Sequence, residues 1–310
     1  MFTKALPAFA AGIIAMSSCC NTATTHPGPI TTGDDSIAQT IYGKVQGYCD
    51  DGIYTFKGIR YAKAERFMPP QYPDSWEGVQ KAQVYGPKAM QGQNIKYNTP
   101  TDYDFGFQFK IEFLSEDCQV LNVWTPALDG KKRPVFLWIH GGGYANGSAI
   151  FLPAQDGRSL AEKGDIVVVS VNHRLNLLGY LDLSPLGGKY SESVNLGMQD
   201  LVKALEWVHS NIAAFGGDPD CVTIGGQSGG GGKVSTLCAM PSAEGLFHRA
   251  IVQSGSTLRQ AEKTNSPAMV ETFLSELGLT PATADKLAEI PYETLEAAAN
   301  KASRAAGGRL

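Results

Sequence analysis

A serine framed by glycines has the clearest chemical potential in this sequence. It lies in the run Gly-Gly-Gln-Ser-Gly-Gly, whose first two glycines end a short stretch at residues 222–226 that predicts a buried β-strand. In a Gly-x-Ser-x-Gly pattern, the serine lies on a sharp strand-to-helix turn that holds its Oγ clear of the backbone. That turn is crowded, so its neighbours must be small, and Gly226, Gly229 and Gly230 meet this requirement. The pattern predicts that Ser228 is a nucleophile.

Two phosphate-binding loops also combine glycines with such a turn, but neither pattern fits. A Walker loop requires glycine six residues before Lys233 and serine or threonine after it, and those positions hold Gln227 and Val234. A dinucleotide-binding Gly-x-Gly-x-x-Gly loop would place its last glycine at Val234 or Ser235. The alternative without chemistry is a glycine-rich turn that only packs a helix on a sheet.

A second glycine run argues against that alternative. His-Gly-Gly-Gly, ending at Gly143, follows the apolar residues 135–140, which predict a buried strand. A loop of this kind supplies backbone amides to a developing oxyanion. Such preorganised donors contribute about 3–4 kcal/mol each. Because glycine has no Cβ, the backbone can approach a substrate closely.

These motifs and several others resemble the type-B carboxylesterase family, which includes cholinesterases, bile-salt lipases and bacterial para-nitrobenzyl esterases. The resemblance covers roughly residues 40–256, and its Glu-Asp-Cys and Phe-Gly-Gly…Gly-x-Ser segments are similar to the two family signatures. The resemblance implies an α/β-hydrolase fold with a mixed, mostly parallel sheet flanked by helices and an N-terminal antiparallel hairpin. Further matching segments are residues 56–62, 76–79, 115–126, 172–175 and 245–251.

The resemblance also implies roles for individual residues. Ser228 would attack an ester carbonyl and form an acyl-enzyme that water releases. The amides of Gly142, Gly143 and Gly229 would form the oxyanion hole. The expected partner is a small-molecule ester. We expect no cofactor and no metal, and the absence of a basic stretch argues against nucleic acid.

The resemblance also implies a structural ion pair, and the sequence departs from the family pattern at two positions. Glu116 and Arg174 match a structural ion pair of the family, a role that suits a bidentate contact. Gln227 replaces a frequent glutamate, which weakens the case for a cationic choline-type substrate. The segment 85–91 lacks the cysteine that commonly pairs with the Glu-Asp-Cys cysteine, so Cys118 is predicted to be a free, packed thiol.

The serine lacks its usual partners in this sequence. A triad needs a base and an acid, and in α/β-hydrolases they follow the serine in the order acid, then histidine. The single histidine after Ser228 is His248, within the structural-looking segment 245–251. We therefore expect an N-terminal portion of a longer esterase, missing its C-terminal part and close to inactive alone. The other histidines, each predicted to be structural or solvent-facing, are His26, His140, His173 and His209.

A non-catalytic binding or adhesion protein of cholinesterase-like fold is the alternative function. Such relatives typically lose the nucleophile. The presence of Ser228 argues against this function for a longer protein, and the lack of a candidate base argues for it if 310 residues are the whole product.

The N-terminus predicts export. Lys4 precedes a short apolar stretch at residues 5–16, too short to span a bilayer. The following Met-Ser-Ser-Cys resembles a bacterial lipobox, which makes Cys19 a candidate for lipidation in the periplasm or outer membrane. A simple cleaved signal and an uncleaved anchor remain alternatives. We thus predict a signal at residues 1–19, a flexible tether at 20–37 and an incomplete α/β-hydrolase domain at 38–310.

The remaining elements must position the serine and the glycine loop. Ordinary composition and a net charge of −4 predict a globular chain, and the motifs belong to one large sheet. The loop at residues 97–113 is rich in Tyr and Phe, and it either lines a substrate gorge or packs over the sheet. The predicted strands are 41–48 and 53–58 as a hairpin, 120–125, 135–140, 166–172, 222–226 and 250–254. The predicted helices are 195–215, 230–239, 269–277, 282–288 and 292–302, the last three as surface or lid helices.

Overall fold

A computed structural model describes residues 29–92, 113–150, 152, 155–257, 259 and 266–306 of the chain. The predicted signal with Cys19, the first part of the predicted tether and nearly all of the aromatic loop at 97–113 lie outside these residues. The described strands are β1 (Ile37–Gln39), β2 (Lys44–Gln46), β3 (Tyr48–Asp50), β4 (Ile53–Arg60), β5 (Val79–Lys81), β6 (Lys88–Ala89), β7 (Leu114–Ser115), β8 (Val120–Thr125), β9 (Arg133–Ile139), β10 (Val167–Val171), β11 (Gly217–Gln227) and β12 (Arg249–Gln253).

The main sheet has seven strands in the order β12-β11-β9-β10-β8-β4-β3. Strands β12, β11, β9 and β10 run parallel to one another. Strands β8, β4 and β3 continue the sheet in antiparallel pairings. The mixed sheet predicted from the sequence is therefore confirmed, and its parallel half contains both glycine-rich motifs.

Apolar composition explains why the central strand β10 lies in the interior. All five residues of β10 are buried, and Val167 and Val171 pair in register with Val135 and Ile139 of β9. Strands covered on both faces read as continuous apolar runs. Because the carboxyl ends of parallel strands meet at one edge of the sheet, the loops that follow β9 and β11 are brought together.

The predicted N-terminal hairpin is present, with one difference. β3 and β4 pair around a turn that contains Asp51 and Gly52, but β2 belongs to a separate three-stranded sheet with β1 and β5. Upstream, Thr31 forms an isolated bridge with Cys49, and Asp34–Ser36 is a short 3₁₀ helix. The fold thus reaches into the segment predicted as a tether.

The helices cover the sheet and build a second hydrophobic cluster. The helix after Ser228 begins one residue past it, close to the prediction. In the described part of the chain, no helix combines the length and the apolar character needed to cross a bilayer. The described α-helices are α1 (Arg158–Gly164), α2 (Asn176–Tyr180), α3 (Leu196–Asn211), α4 (Gly229–Leu237), α5 (Ser266–Glu276) and α6 (Tyr292–Ala305).

The last two helices form their own core instead of lying loosely on the surface. With the 3₁₀ helix Pro281–Ala288, they bury Phe273, Leu287 and Leu295 against α2. The Arg66 guanidinium ties this cluster to the rest of the molecule by donating to the carbonyl oxygens of Leu287 at 2.9 Å and Ile290 at 2.6 Å.

The expected ion pair between Glu116 and Arg174 is wrong, because each residue has another partner. Arg174 follows β10 beside α3, where its Nε and Nη2 donate to the Asp200 carboxylate at 2.9 and 2.7 Å. Glu116 follows β7 and accepts from Nε of Arg66 at 2.8 Å. The resemblance correctly indicated that Glu116 and Arg174 form structural ion pairs, but the packing of the elements decides which partner each of them meets.

Candidate active site

Ser228 occupies a strained turn between β11 and α4. Its backbone has φ 56° and ψ −124°, a region that non-glycine residues rarely adopt. Two hydrogen bonds hold it there: its N–H donates to the carbonyl of Gln253 at 2.8 Å, and its carbonyl accepts from the N–H of Gly232 at 3.0 Å. Ser228 is exposed, so its hydroxyl is accessible at the C-terminal edge of the sheet.

The loop that follows β9 adopts a conformation that requires glycine. Gly142 has φ +92°, and a Cβ at this position would overlap the carbonyl group of Asn146. The N–H groups of Ala145 and Asn146 both donate to the Gly142 carbonyl, at 3.4 and 3.0 Å. These bonds fold the loop back on itself and leave Gly142 and Gly143 exposed at the surface.

The two glycine-rich segments lie against each other. A Cβ added to Gly229 would overlap the backbone of Gly143, and one added to Gly141 would lie 3.5 Å from Cβ of Ser228. Within the described part of the chain, the amides of Gly142, Gly143 and Gly229 donate to no other group. Free amides beside an exposed hydroxyl, at the N-terminus of α4, can stabilise negative charge on an atom bonded to that hydroxyl.

A buried lysine lies beneath this loop. Lys233 is fully buried in α4, and its Nζ donates to the Gly143 carbonyl at 2.7 Å and approaches the His140 carbonyl at 3.5 Å. Burial lowers the pKa of Lys233 to about 7. Its ammonium also lies 5.3 Å from the ring centre of Tyr144.

Two histidines near the loop are held neutral. Burial, reinforced by the charge of Lys233, lowers the pKa of His140 to about 3. Its Nδ1 donates to the Gly141 carbonyl at 2.8 Å, which leaves Nε2 without the proton. The His173 ring stacks on it at 4.7 Å, and burial likewise holds the pKa of His173 well below its usual range. Such rings pack the base of the site and are poor proton acceptors.

The other described histidines lie away from the serine. His248 is exposed and pairs with Val222 in the middle of β11, six residues before Ser228 and so roughly 20 Å from it at ~3.3 Å per residue. His209 lies on the exposed side of α3, and His26 lies outside the described residues. Among the described residues, no histidine is placed to accept the Ser228 proton, and no group of three or more His, Cys, Asp or Glu could hold a metal ion.

Ser228 and Gly229 therefore lie beside the loop that contains Gly142 and Gly143, whereas Cys19 is outside the described residues, and Lys233 was not among the predicted site residues. In the sequence, Lys233 entered only the comparison with a phosphate-binding loop, which it does not fit. A signal was present: a lysine five residues after the serine lies in a helix start that is otherwise glycine and apolar. Helical spacing of this kind turns it toward the interior. Cys118, by contrast, is buried and free as predicted, and burial raises the pKa of its thiol.

Known proteins match the chain over most of its length. The sequence profile of the carboxylesterase family matches residues 34–307. Para-nitrobenzyl esterase of Bacillus subtilis is 40% identical over 269 residues, which are 86% of this chain and 53% of that protein. Phenmedipham hydrolase of Pseudarthrobacter oxydans is 42% identical over 226 residues, 70% of this chain and 42% of that protein.

A solved structure agrees with these matches. An esterase from Clostridium hathewayi, described as able to hydrolyse aliphatic aromatic polyesters, superposes with a TM-score of 0.84 at 45% sequence identity. The superposition covers 90% of this chain and 56% of the other. The chain thus spans about half the length of the relatives that it matches.

Proposed function

Because this chain belongs to the carboxylesterase family, we propose that it carries the nucleophile of a serine carboxylic-ester hydrolase, with Ser228 forming the acyl-enzyme. The family supports ester hydrolysis and the α/β-hydrolase fold. One observation supports the role of the serine: an exposed Ser228 in a strained turn lies beside a loop with free amides.

The proposed reaction has two acyl-transfer steps. Oγ of Ser228 bonds to the ester carbonyl carbon while a base takes the hydroxyl proton, and the amides of Gly142, Gly143 and Gly229 stabilise the resulting oxyanion. The carbon–oxygen bond to the alcohol then breaks, and the base returns its proton to the departing alcohol oxygen. Water repeats the attack on the acyl-enzyme, which releases the acid and restores the serine.

We infer that the base and the acid come from sequence outside the described residues. No described histidine reaches Ser228, whereas the sheet beside it has an uncovered part. All residues of β12 are exposed at the sheet edge, with Ile251 at 44% and Val252 at 38%. An apolar groove of about 710 Å³ adjoins this edge between Trp138 and Ile251. Exposed apolar surface and an unpaired edge mark a place where further polypeptide packs.

The expected substrates are small, neutral esters. Gln227, exposed next to the nucleophile, carries no charge that would attract a cationic alcohol group. The relatives named above include a para-nitrobenzyl esterase and an enzyme that hydrolyses aromatic polyesters, which supports an uncharged substrate with an aromatic group.

A fluorophosphonate probe tests the nucleophile. In the complete gene product, we expect labelling at Ser228 that Ser228→Ala abolishes. Ser235→Ala is the matched control: this serine lies on the same helix, but its Oγ donates to the Gly231 carbonyl at 3.1 Å, so labelling should persist. A folded protein that is not labelled at Ser228 would refute the proposal and leave the non-catalytic binding protein as the better hypothesis.

The 310-residue chain by itself should be close to inactive. Loss of the base of a serine hydrolase triad lowers kcat by about six orders of magnitude. The exposed edge strand β12 should also make this chain prone to aggregation. Turnover of para-nitrophenyl butyrate by the purified chain at rates near those of its relatives would show that this inference is wrong.

Export with a lipid anchor remains a proposal, supported by the N-terminal sequence alone. Metabolic labelling with a palmitate analogue should modify Cys19, and Cys19→Ser should abolish the label and release the protein from membranes. Cys20→Ser is the matched control. Equal labelling of both variants would contradict a lipid at Cys19.

A further inference from the structure

Lys233 is a buried cation for which the proposed mechanism has no use. Its side chain is fully buried, and it is the one lysine of the described residues with this property. An isolated ammonium is costly to place in the interior, and proteins usually pair it with a carboxylate. Among the described residues, no carboxylate contributes to the pKa of Lys233. The partners of its Nζ are the carbonyl oxygens of the glycine loop.

The contact falls on a glycine of the proposed oxyanion hole. Gly143 has φ +63°, and no side chain lies near the position that a Cβ would take there. The N–H groups of Ala145 and Asn146 hold the peptide before it through the Gly142 carbonyl. In the described part of the chain, Nζ of Lys233 is the donor to the Gly143 carbonyl, at 2.7 Å. The Gly143 amide is coplanar with the Gly142 carbonyl, and the Gly143 carbonyl belongs to the next peptide plane. The bonds to Gly142 and the bond from Lys233 therefore hold the two planes that meet at Cα of Gly143.

We propose that Lys233 is a positioning residue that fixes the Gly143 peptide, so that its amide points at the oxyanion that forms on Ser228. This inference rests on the proposed esterase function of the site. The interaction matters more in the transition state than in the ground state, because the full negative charge develops there. The effect therefore falls on kcat and not on KM.

The positive charge of Lys233 should also help to stabilise the oxyanion. The titratable groups that face it are His140 at the end of β9, His173 at the end of β10 and Tyr144 in the loop. Both histidines are neutral, and Asp200 of the neighbouring α3 is already bound to Arg174. With a pKa of about 7, Lys233 loses its proton as the pH rises through neutrality, and the oxyanion loses a nearby positive charge.

Two substitutions test the proposal in the complete gene product, with para-nitrophenyl butyrate as substrate. Lys233→Met keeps the length of the side chain and removes the donor and the charge. We expect kcat to fall about 10- to 100-fold while KM changes less than about threefold. Phosphonylation of Ser228 by the fluorophosphonate should slow by a similar factor. Lys301→Met, on the exposed part of α6, is the control and should leave both rates unchanged.

The pH profile separates positioning from simple packing. The wild-type kcat should show a descending limb near neutral pH that Lys233→Met lacks. Lys233→Arg keeps a charged donor, so its kcat should be intermediate and its descending limb should move above about pH 9. If the methionine variant fails to fold, the arginine profile alone decides, because an unmoved limb would overturn the proposal.

Two other results would also overturn it. Equal kcat values for wild type and a folded Lys233→Met would show that the loop needs no support from the lysine. A loss as large as that of Ser228→Ala would instead make Lys233 the base for the serine. Failure of the proposed function is distinguishable, because the wild-type protein would then show neither turnover nor labelling at Ser228.

Discussion

Two cations, Arg174 and Lys233, are buried near the ends of the parallel strands, and their charges are compensated differently. Arg174, after β10, is 3% exposed and forms a bidentate pair with a completely buried Asp200. Lys233, in α4, is equally buried but contacts carbonyl oxygens of the glycine loop. A carboxylate compensates the first charge almost fully, whereas neutral carbonyl dipoles compensate the second only in part.

The difference separates a scaffold from a site. The pair of Arg174 and Asp200 joins β10 to α3, and Nη1 of Arg174 also donates to the Met68 carbonyl at 2.7 Å, so these bonds hold elements together. Lys233 instead holds the glycine loop, through the carbonyl of Gly143. A weakly compensated charge lowers stability, but it remains available to respond to negative charge in its neighbourhood.

Removal of the carboxylate should have the largest effect on stability. Asp200→Asn leaves the Arg174 guanidinium buried without an anion, and the free energy of unfolding should fall by about 3–5 kcal/mol. Urea denaturation measures the change. The double variant Arg174→Met with Asp200→Leu removes both charges and should lose less than the single variant. A single-variant loss below about 1 kcal/mol would show that this pair is not part of the scaffold.

A substitution in the glycine loop should cause the next largest loss of stability. Gly142→Ala places a Cβ against the carbonyl of Asn146 at a positive φ, and we expect a loss of about 2–3 kcal/mol. Gly245→Ala is the matched control, since Gly245 also has a positive φ but an added Cβ there would meet nothing within 4 Å. Its loss should be about 1 kcal/mol. Equal losses in thermal unfolding would mean that backbone strain alone, and not contact with Asn146, makes glycine necessary in the loop.

Lys233→Met should increase the stability of the protein, whereas the two preceding substitutions decrease it. Burial depresses the pKa of Lys233 in the folded state from 10.5 to about 7, so the unfolded chain binds the proton more tightly and stability rises with pH between these values. The variant lacks this dependence. It should be more stable than wild type by about 1–3 kcal/mol below pH 7, and the difference should close toward pH 10.5. A constant difference from pH 6 to pH 10 in thermal scans would contradict a charged, buried Lys233.

Substitution of a surface lysine should have the smallest effect on stability. Lys301 pairs with Glu276 at 2.7 Å, with both side chains at least one third exposed. Lys301→Met should change the free energy of unfolding by less than about 0.5 kcal/mol, because solvent screens such pairs. The same denaturation experiment measures it. A larger loss would mean that the pair between α5 and α6 is a structural part of the second hydrophobic cluster.

The contrast between the two cations also shows how far sequence reasoning extends. The strands around the site were predicted from apolar runs, and the turn at Ser228 from glycine spacing, because both depend on neighbours in the chain. The partner of Arg174 was predicted wrongly, since Asp200 becomes its neighbour only when α3 packs beside β10. Lys233 was overlooked because a lysine alone in a sequence is expected to be exposed.

By itself, the sequence determined that a serine follows a strand on a tight turn and that a glycine loop follows another strand, since small residues and apolar periodicity encode local backbone conformation. Only the tertiary structure decided that the two segments touch and that a buried lysine supports one of them. Contacts between residues far apart in the chain depend on strand order, which places the ends of β9 and β11 side by side.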